Sequence, residues 1–271
     1  RSNRRRTANP NSSSSRNHMK VTFLGTGTSV GVPRIGCACP VCTSQDSKNK
    51  RLRCALHIEH SGHSILVDTG PDLRTQALTH AVNRVDAVLF THGHADHLYG
   101  LDDVRSYCFE REEPLPCYAD ARTIARIERV FDYAFDVNAP SSTPQIELIE
   151  IKGDFELFDL SIQPIYVYHG RLPVLAFRFG DFAYVTDTNR IPTEGMERLQ
   201  KLDVLVLDAL RHKAHPTHFN LSQALEVIEK LQPRQAYLTH IAHDLEHHTT
   251  NAHLPPGVEL AYDGLTLELN T

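Results

Sequence analysis

The chain has no run of the roughly 18 to 20 apolar residues that a membrane-spanning helix needs, and its N-terminus lacks the apolar stretch of a signal peptide. These absences argue against a membrane role and predict a cytoplasmic protein with no membrane partner. Positive charge is not in excess either. Lys and Arg number 28 against 33 Asp and Glu, a net −5 with His neutral. The broad basic surface that long nucleic acids require is therefore missing, and a small substrate is expected. No internal repeat is visible, and there is no low-complexity segment beyond the first residues. What remains is ordinary for a soluble enzyme: 41% hydrophobic and 23% charged residues over 271 positions, enough for a substantial core in one α/β domain. Residues 1–18 include Arg1, Arg4, Arg5 and Arg6 and a serine run at 12–15, with no hydrophobic pattern. They read as a disordered tail and an expression tag, with Met19 as the native start and one domain over residues 19–271.

Six cysteines are present, and three of them, Cys37, Cys39 and Cys42, are too closely spaced for an ordinary disulfide framework. Their spacing indicates metal. Cys54, Cys108 and Cys117 are isolated among apolar or mixed neighbours and read as small buried side chains.

Strand-like segments are expected at 20–24, 55–58, 64–68, 86–91, 146–151, 155–167, 175–179, 183–186, 204–207 and 236–239. Ser61-Gly62 marks a hairpin, and Asp263-Gly264 reads as the turn of a second, terminal one. A helix is expected after Asp68-Thr69-Gly70 and another over 121–130. A third is marked by Leu221, Leu225, Ile228 and Leu231, with Asn220 and Gln223 placed as a capping pair. Several apolar strands run directly into polar groups: Asp68, His92, Asp187, Asp208 and His240. That arrangement collects a site at strand ends.

The stretch His92-x-His94-x-Asp96-His97 places four donors within six residues. Alternation brings His92 and His94 toward one side, while Asp96 and His97, on the following turn, face a second point nearby. Two metal ions are therefore expected. With 17 histidines in the chain, a lone histidine means little. His57, His60, His63, His80, His247, His248 and His253 show no partner at ligand spacing. His169 and Asp187, each ending a strand-like run, are further candidates on position alone.

This motif, with Gly25-Thr26-Gly27 and Asp68-Thr69-Gly70, resembles the metallo-β-lactamase superfamily over essentially all of residues 19–271. The resemblance implies an α/β fold of the αββα four-layer sandwich type. It also implies His92, His94 and His169 as ligands of one metal and Asp96, His97 and His240 as ligands of the other, with Asp187 bridging both. Asp68 is similar to the superfamily's carboxylate that accepts the outer N–H of a ligand imidazole. Imidazole and carboxylate donors accept zinc, manganese or iron, with availability often deciding, so the active-site metal, zinc or manganese above all, stays open.

Cys37, Cys39 and Cys42 need a fourth donor to close a tetrahedral structural zinc, and His243, three residues beyond His240, can turn toward it. With this clip and the Thr-His-x-x-His ending, the resemblance narrows to the PhnP-type phosphodiesterases, the cyclic-phosphate enzymes of phosphonate breakdown. PqqB of pyrroloquinoline quinone biosynthesis is similar at the cysteine loop as well. His218 matches the extra histidine of the PhnP type, which binds phosphate and protonates the departing alkoxide. His212 and His215 on the same loop compete for that role. Arg105 could grip a second phosphate or a sugar edge.

The reading is hydrolysis of a small phosphodiester, cyclic ribose or nucleotide phosphate above all, by in-line attack of a hydroxide bridging two metals. Asp96, Asp187 and His218 are its catalytic residues, one structural zinc sits apart, and a homodimer is left open. The rival readings are a thioester or lactone hydrolase on the same centre and a PqqB-like accessory protein without turnover.

Overall fold

Ser61 and Gly62 both adopt left-handed backbone (φ 51° and 80°), the geometry a two-residue hairpin turn demands. They join β2 (Ala55–His60) to β3 (His63–Val67) in antiparallel register, Ile58 opposite Ile65. The computed structural model describes residues 18–136 and 142–270, so most of the expected tail lies outside the described residues. β1 (His18–Gly25) begins one residue ahead of Met19, with His18 opposite Asn270.

The remaining strands are β4 (Ala87–Leu89), β5 (Leu115–Ala119), β6 (Ile146–Glu150), β7 (Phe155–Leu157), β8 (Leu160–His169), β9 (Leu172–Phe179), β10 (Phe182–Val185), β11 (Val204–Asp208), β12 (Gln235–Thr239), β13 (Val258–Leu260) and β14 (Thr266–Asn270). They form two seven-stranded sheets, ordered β14-β1-β2-β3-β4-β5-β6 and β13-β12-β11-β10-β9-β8-β7. The sheets face one another across a dry core in which Val21, Phe23 and Ile58 of the first meet Phe177, Tyr184 and Val206 of the second. On the outer face of the first sheet, Leu66, Val88 and Cys117 pack with Leu73 and Ile127 from the helices Leu73–Thr79 and Ala121–Val130. On the outer face of the second, Leu205, Leu207 and Leu238 pack with Ala224, Ile228 and Leu231 of the helix Leu221–Leu231. This is the αββα order expected from the sequence.

Three expectations change. The 155–167 run is split, because Phe158 and Asp159 turn left-handed (φ 55° and 62°) and fold β7 back onto β8. β5 adds a strand that the sequence reading lacked: Pro116 interrupts the pattern of Leu115, Cys117 and Ala119. Asp263-Gly264 does not close a hairpin. β13 runs parallel to β12 in the second sheet, and β14 runs antiparallel to β1 in the first. The turn instead carries the chain from one sheet to the other. Among the described residues no helix is long and apolar enough to cross a membrane.

Candidate metal centres

Asp68, Asp187 and His240 each follow directly on a strand that ends one residue earlier or, for Asp187, two. All three take left-handed backbone, with φ of 66°, 52° and 57°. Such conformations cost about 1–3 kcal/mol each in a residue with a Cβ and persist only where packing over-determines them. Here they turn three polar side chains from the strand ends into one space. Gly70 brings the neighbouring loop close: a Cβ there would lie 2.1 Å from the Asp96 carbonyl oxygen. The Asp68-Thr69-Gly70 turn and the 92–97 loop are thus locked back to back.

His94 is the N-cap of the short helix Ala95–Leu98, so His92 and His94 lie on the extended approach and Asp96 and His97 in the first turn. The rings of His92, His94 and His169 form one group, with centroids 4.6, 5.1 and 5.9 Å apart. In a second group, the donor atoms of Asp96, His97, Asp187 and His240 all lie within 4.8 Å of one another. Asp187 stands between the two groups. Its Oδ2 is 3.1 Å from His97 Nε2, and its Oδ1 is 3.3 Å from His240 Nε2 and 4.0 Å from His92 Nε2.

The outer nitrogens are already engaged. His97 Nδ1 faces Asp68 Oδ2 at 2.7 Å. The Thr91 hydroxyl donates to the same Asp68 oxygen at 2.8 Å and so accepts from His92 Nδ1 at 3.0 Å. His169 Nδ1 donates to the Thr217 carbonyl at 2.9 Å. Each bond occupies the outer nitrogen and aims Nε2 inward, the nitrogen that a metal would take once it is free of a proton.

Inward, the Nε2 atoms of His92, His97 and His240 are buried and make no hydrogen bond. Buried polar atoms are nearly always partnered. Three imidazole nitrogens beside two carboxylates are the donor set of a divalent cation, so the residues fit the metals that the superfamily holds. The electrostatics agree. Burial opposes charge on Asp187, but His240 and His97 hold its carboxyl well below the usual range. Burial likewise disfavours a charged His240, yet Asp187 and Asp96 raise its pKa to about 9. Burial and the neighbouring His97 push His92 down, which keeps it a neutral donor. Without a cation, protons on His97 and His240 balance the carboxylates, and a metal would displace them.

His218 is buried, and its Nδ1 lies 2.8 Å from Asp208 Oδ2. Its ring stacks on His240 at 4.5 Å and meets His169 edge-on at 4.5 Å. Its donor atom lies within 4.8 Å of those of His169 and Asp187. The competing histidines are placed differently. His212 is exposed, and His215 Nδ1 faces the Thr217 hydroxyl at 3.2 Å. Arg105 is ion-paired to Asp102 and donates to the Asp102 carbonyl, and no contact joins it to the cluster among the described residues.

Asp208 is the residue to which sequence reasoning assigned no role. Fully buried at the end of β11, it accepts from Thr188 N–H and His218, and its Oδ1 lies 3.9 Å from His240 Nδ1. Its signal was present in the sequence, an apolar strand ending on a carboxylate, the same signal that marked Asp187.

The second centre lies on the loop before β2. Cys37, Cys39, Cys42 and His243 place four donor atoms within 4.8 Å of one another. His243 Nδ1 is 3.2 Å from Cys39 Sγ and 3.4 Å from Cys37 Sγ. Cys39 caps the short helix Pro40–Thr43 by accepting from Cys42 N–H, and that bond together with His243 lowers its thiol to about 6. Burial pushes Cys42 up to about 11. Four such donors fit a closed tetrahedral zinc. Ile241 links the two centres, because its N–H donates to the Thr26 carbonyl and its carbonyl accepts from Thr28 N–H. The Gly-Thr-Gly loop therefore runs beside the segment that sends His240 inward and His243 to the clip.

Comparison with known proteins follows the same lines. The Beta-lactamase superfamily domain matches residues 63–241. A solved structure described as a new diphosphatase from the PhnP family is 44% identical, with a TM-score of 0.89, over 93% of this chain and 97% of that one. A protein of Porphyromonas gingivalis named octanoyltransferase is 40% identical over 91% of this chain, which spans about half (51%) of that protein. Zinc-bound PqqB from Methylobacterium extorquens shares the fold at 20% identity, with a TM-score of 0.74 over 92% of this chain and all of that one. From the domain match and the PhnP-family structure aligned along nearly its whole length, the chain belongs to the metallo-β-lactamase superfamily and, within it, to the PhnP family.

Proposed function

We propose that this protein is a two-metal hydrolase of small phosphodiesters, including cyclic ribose or nucleotide phosphates and the P–O–P diesters to which the name of its diphosphatase relative points. His92, His94 and His169 would hold one divalent ion and Asp96, His97 and His240 the other, with Asp187 shared, while Cys37, Cys39, Cys42 and His243 hold a structural zinc. Bound there, the ions would supply Lewis acidity and a nucleophile from water at neutral pH. The carrying observation is His218, buried against the cluster and anchored on Asp208. An imidazole whose Nδ1 is held by a carboxylate presents Nε2 in one direction, toward the space beside His169 and Asp187, where it can bind a phosphoryl oxygen and protonate the leaving alkoxide.

An acyl substrate is the rival. The name octanoyltransferase belongs to a protein of which this chain spans about half, and no feature of the cluster favours carbon over phosphorus. The anchored acid serves a poor oxygen leaving group, as a phosphodiester has.

His218→Ala should lower turnover of a diester with an alkyl leaving group by about 10²–10⁴-fold, and that of an activated aryl diester far less, at unchanged metal content. Asp208→Asn should show the same leaving-group pattern more weakly. Equal losses on both diesters, or faster hydrolysis of a thioester or lactone than of any diester, would overturn the reading.

A further inference from the structure

His212, His215 and His218 share one loop, and the reading above uses only His218. His215 is half-buried, and its ring centroid lies 5.2 Å from that of His218 at a tilt of 45°. The two rings are wired in opposite senses. A carboxylate accepts, so against Asp208 the hydrogen of His218 sits on Nδ1. A backbone N–H can only donate, and that of Thr217 points at His215 Nδ1 at 3.4 Å, with the Thr217 hydroxyl at 3.2 Å from the same atom. His215 Nδ1 is therefore an acceptor, and the neutral ring carries its hydrogen on Nε2. Burial, then His218 and Arg211, push His215 below its ordinary range, so the ring is neutral at pH 7. A neutral Nε2–H binds an oxygen without giving up its proton. Among the described residues that donor meets no acceptor, and unlike the inward Nε2 atoms of His92, His97 and His240 it is not sealed from solvent.

The ring is also held where it stands. The Asn189 side chain accepts from Gly170 N–H at 2.9 Å and donates to the Pro216 carbonyl at 2.8 Å, which ties the turn after His169 to the residue between His215 and Thr217. Gly170 is left-handed (φ 66°), and a Cβ there would lie 2.9 Å from Thr217 Cγ2, so the two turns touch. Thr217 spends its carbonyl on His169 Nδ1 and its N–H and hydroxyl on His215. Arg211 curls the other end of the loop by donating to the carbonyls of Lys213 and Ala214. One threonine thus orients both a histidine of the cluster and the donor beside His218.

We propose that His215 is a specificity-determining residue, donating from Nε2 to an oxygen acceptor on the leaving group beside the departing oxygen that His218 protonates. This rests on the phosphodiesterase reading above and narrows its substrate class. Diesters whose leaving group carries a second oxygen close to the departing one, as the adjacent hydroxyls of a sugar or nucleoside do, are preferred over plain alkyl or aryl diesters. It also gives two neighbouring histidines of one loop separate tasks, proton transfer for His218 and recognition for His215.

The test compares 2-methoxyphenyl methyl phosphate with its near-isostere 2-ethylphenyl methyl phosphate, in which a methylene replaces the acceptor oxygen, on the metal-loaded protein. Corrected for their rates with hydroxide, the methoxy ester should be favoured by about three- to tenfold in kcat/KM, the worth of one hydrogen bond. In H215L that ratio should fall to about one at unchanged metal content. H215Q, whose amide N–H reaches the place of Nε2, should keep most of it, and H215N, whose amide stops at the place of Nδ1, should lose it. A ratio near one in the unaltered protein, an unchanged ratio in both H215L and H215N, or a loss confined to poor leaving groups, as an acid would give, would overturn the assignment. If neither ester is hydrolysed, the phosphodiesterase reading falls, and calorimetric affinities of the same two esters decide the donor: a preference that H215L loses would keep it, and equal affinities would overturn it.

Discussion

His97 and Cys39 both stand in four-donor clusters, yet their surroundings differ. His97 is fully buried, its outer nitrogen is held by Asp68 at 2.7 Å, and the loop carrying it is wedged against Gly70. Cys39 is half-exposed, and its sulfur is met by His243 at 3.2 Å and by the first turn of a four-residue helix. Behind the histidine cluster lie the ends of two seven-stranded sheets, whereas behind the cysteines lies a small apolar cluster centred on Val32, Val41 and Cys42. The contrast separates two uses of a metal. At the strand ends the donors are fixed in advance, so on the proposed reading an ion there would contribute chemistry. On the loop there is little else to hold the chain, so on the same reading an ion would contribute local structure.

The largest expected break in this contrast is at the strand ends. Asp187→Ala and His94→Ala should each lower turnover by about a thousandfold or more, since charge stabilisation of several kcal/mol is lost with the two-metal arrangement. Cys108→Ala and His253→Ala should leave it near normal. Near-normal activity in either ligand variant, assayed with too little metal to refill a damaged site, would contradict the assigned roles.

A sharper version concerns protons. In chelator-stripped protein His240 keeps its proton up to about pH 9, and His97 is raised above its ordinary range for the same reason: the carboxylates outweigh burial. Metal requires both rings neutral, so loading should release protons, and apparent affinity at the strand-end site should rise from pH 6 toward pH 9. Calorimetry in two buffers of different ionisation heat measures the release. Loading with no proton transfer at pH 7 would mean that another pair of groups holds the charge balance.

The smallest effect on chemistry is expected at the clip. Cys39→Ala should remove one tightly held zinc and lower the midpoint of thermal unfolding by roughly 4–8 °C, corresponding to about 2 kcal/mol, while turnover changes least. Metal analysis of the purified variant checks it, and an unchanged zinc content would dissolve the contrast drawn above.

Much of this was legible because it is local. The donors at 92–97 and the cysteines at 37–42 are contiguous, so their types and spacing alone point to metal. Asn220 and Gln223 form the capping box that their order implies, and the helix spans Leu221–Leu231. Asp208 was different. An apolar strand ending on aspartate marks a position, but only the fold brings that carboxylate to His218 and near His240, and only the fold reveals Thr91 and Thr217 as the groups that orient His92 and His169. Arg105 shows the converse: a plausible cation by its place after the metal loop, claimed by a neighbour three residues away.

Residue types, short spacings and strand-end positions pointed by themselves to metal in an α/β domain, and the motifs they form carry the resemblance that implied the superfamily fold, because helices, turns and chelating motifs are decided within a few residues. Tertiary structure alone decided that Asp263-Gly264 crosses between sheets. It also decided that Asp208 holds His218. Those facts depend on which distant segments pack together, His97 on Asp68 across 29 residues and Cys39 on His243 across 204. No local pattern encodes such pairings, since the free energy that selects them comes from burying both sheets at once.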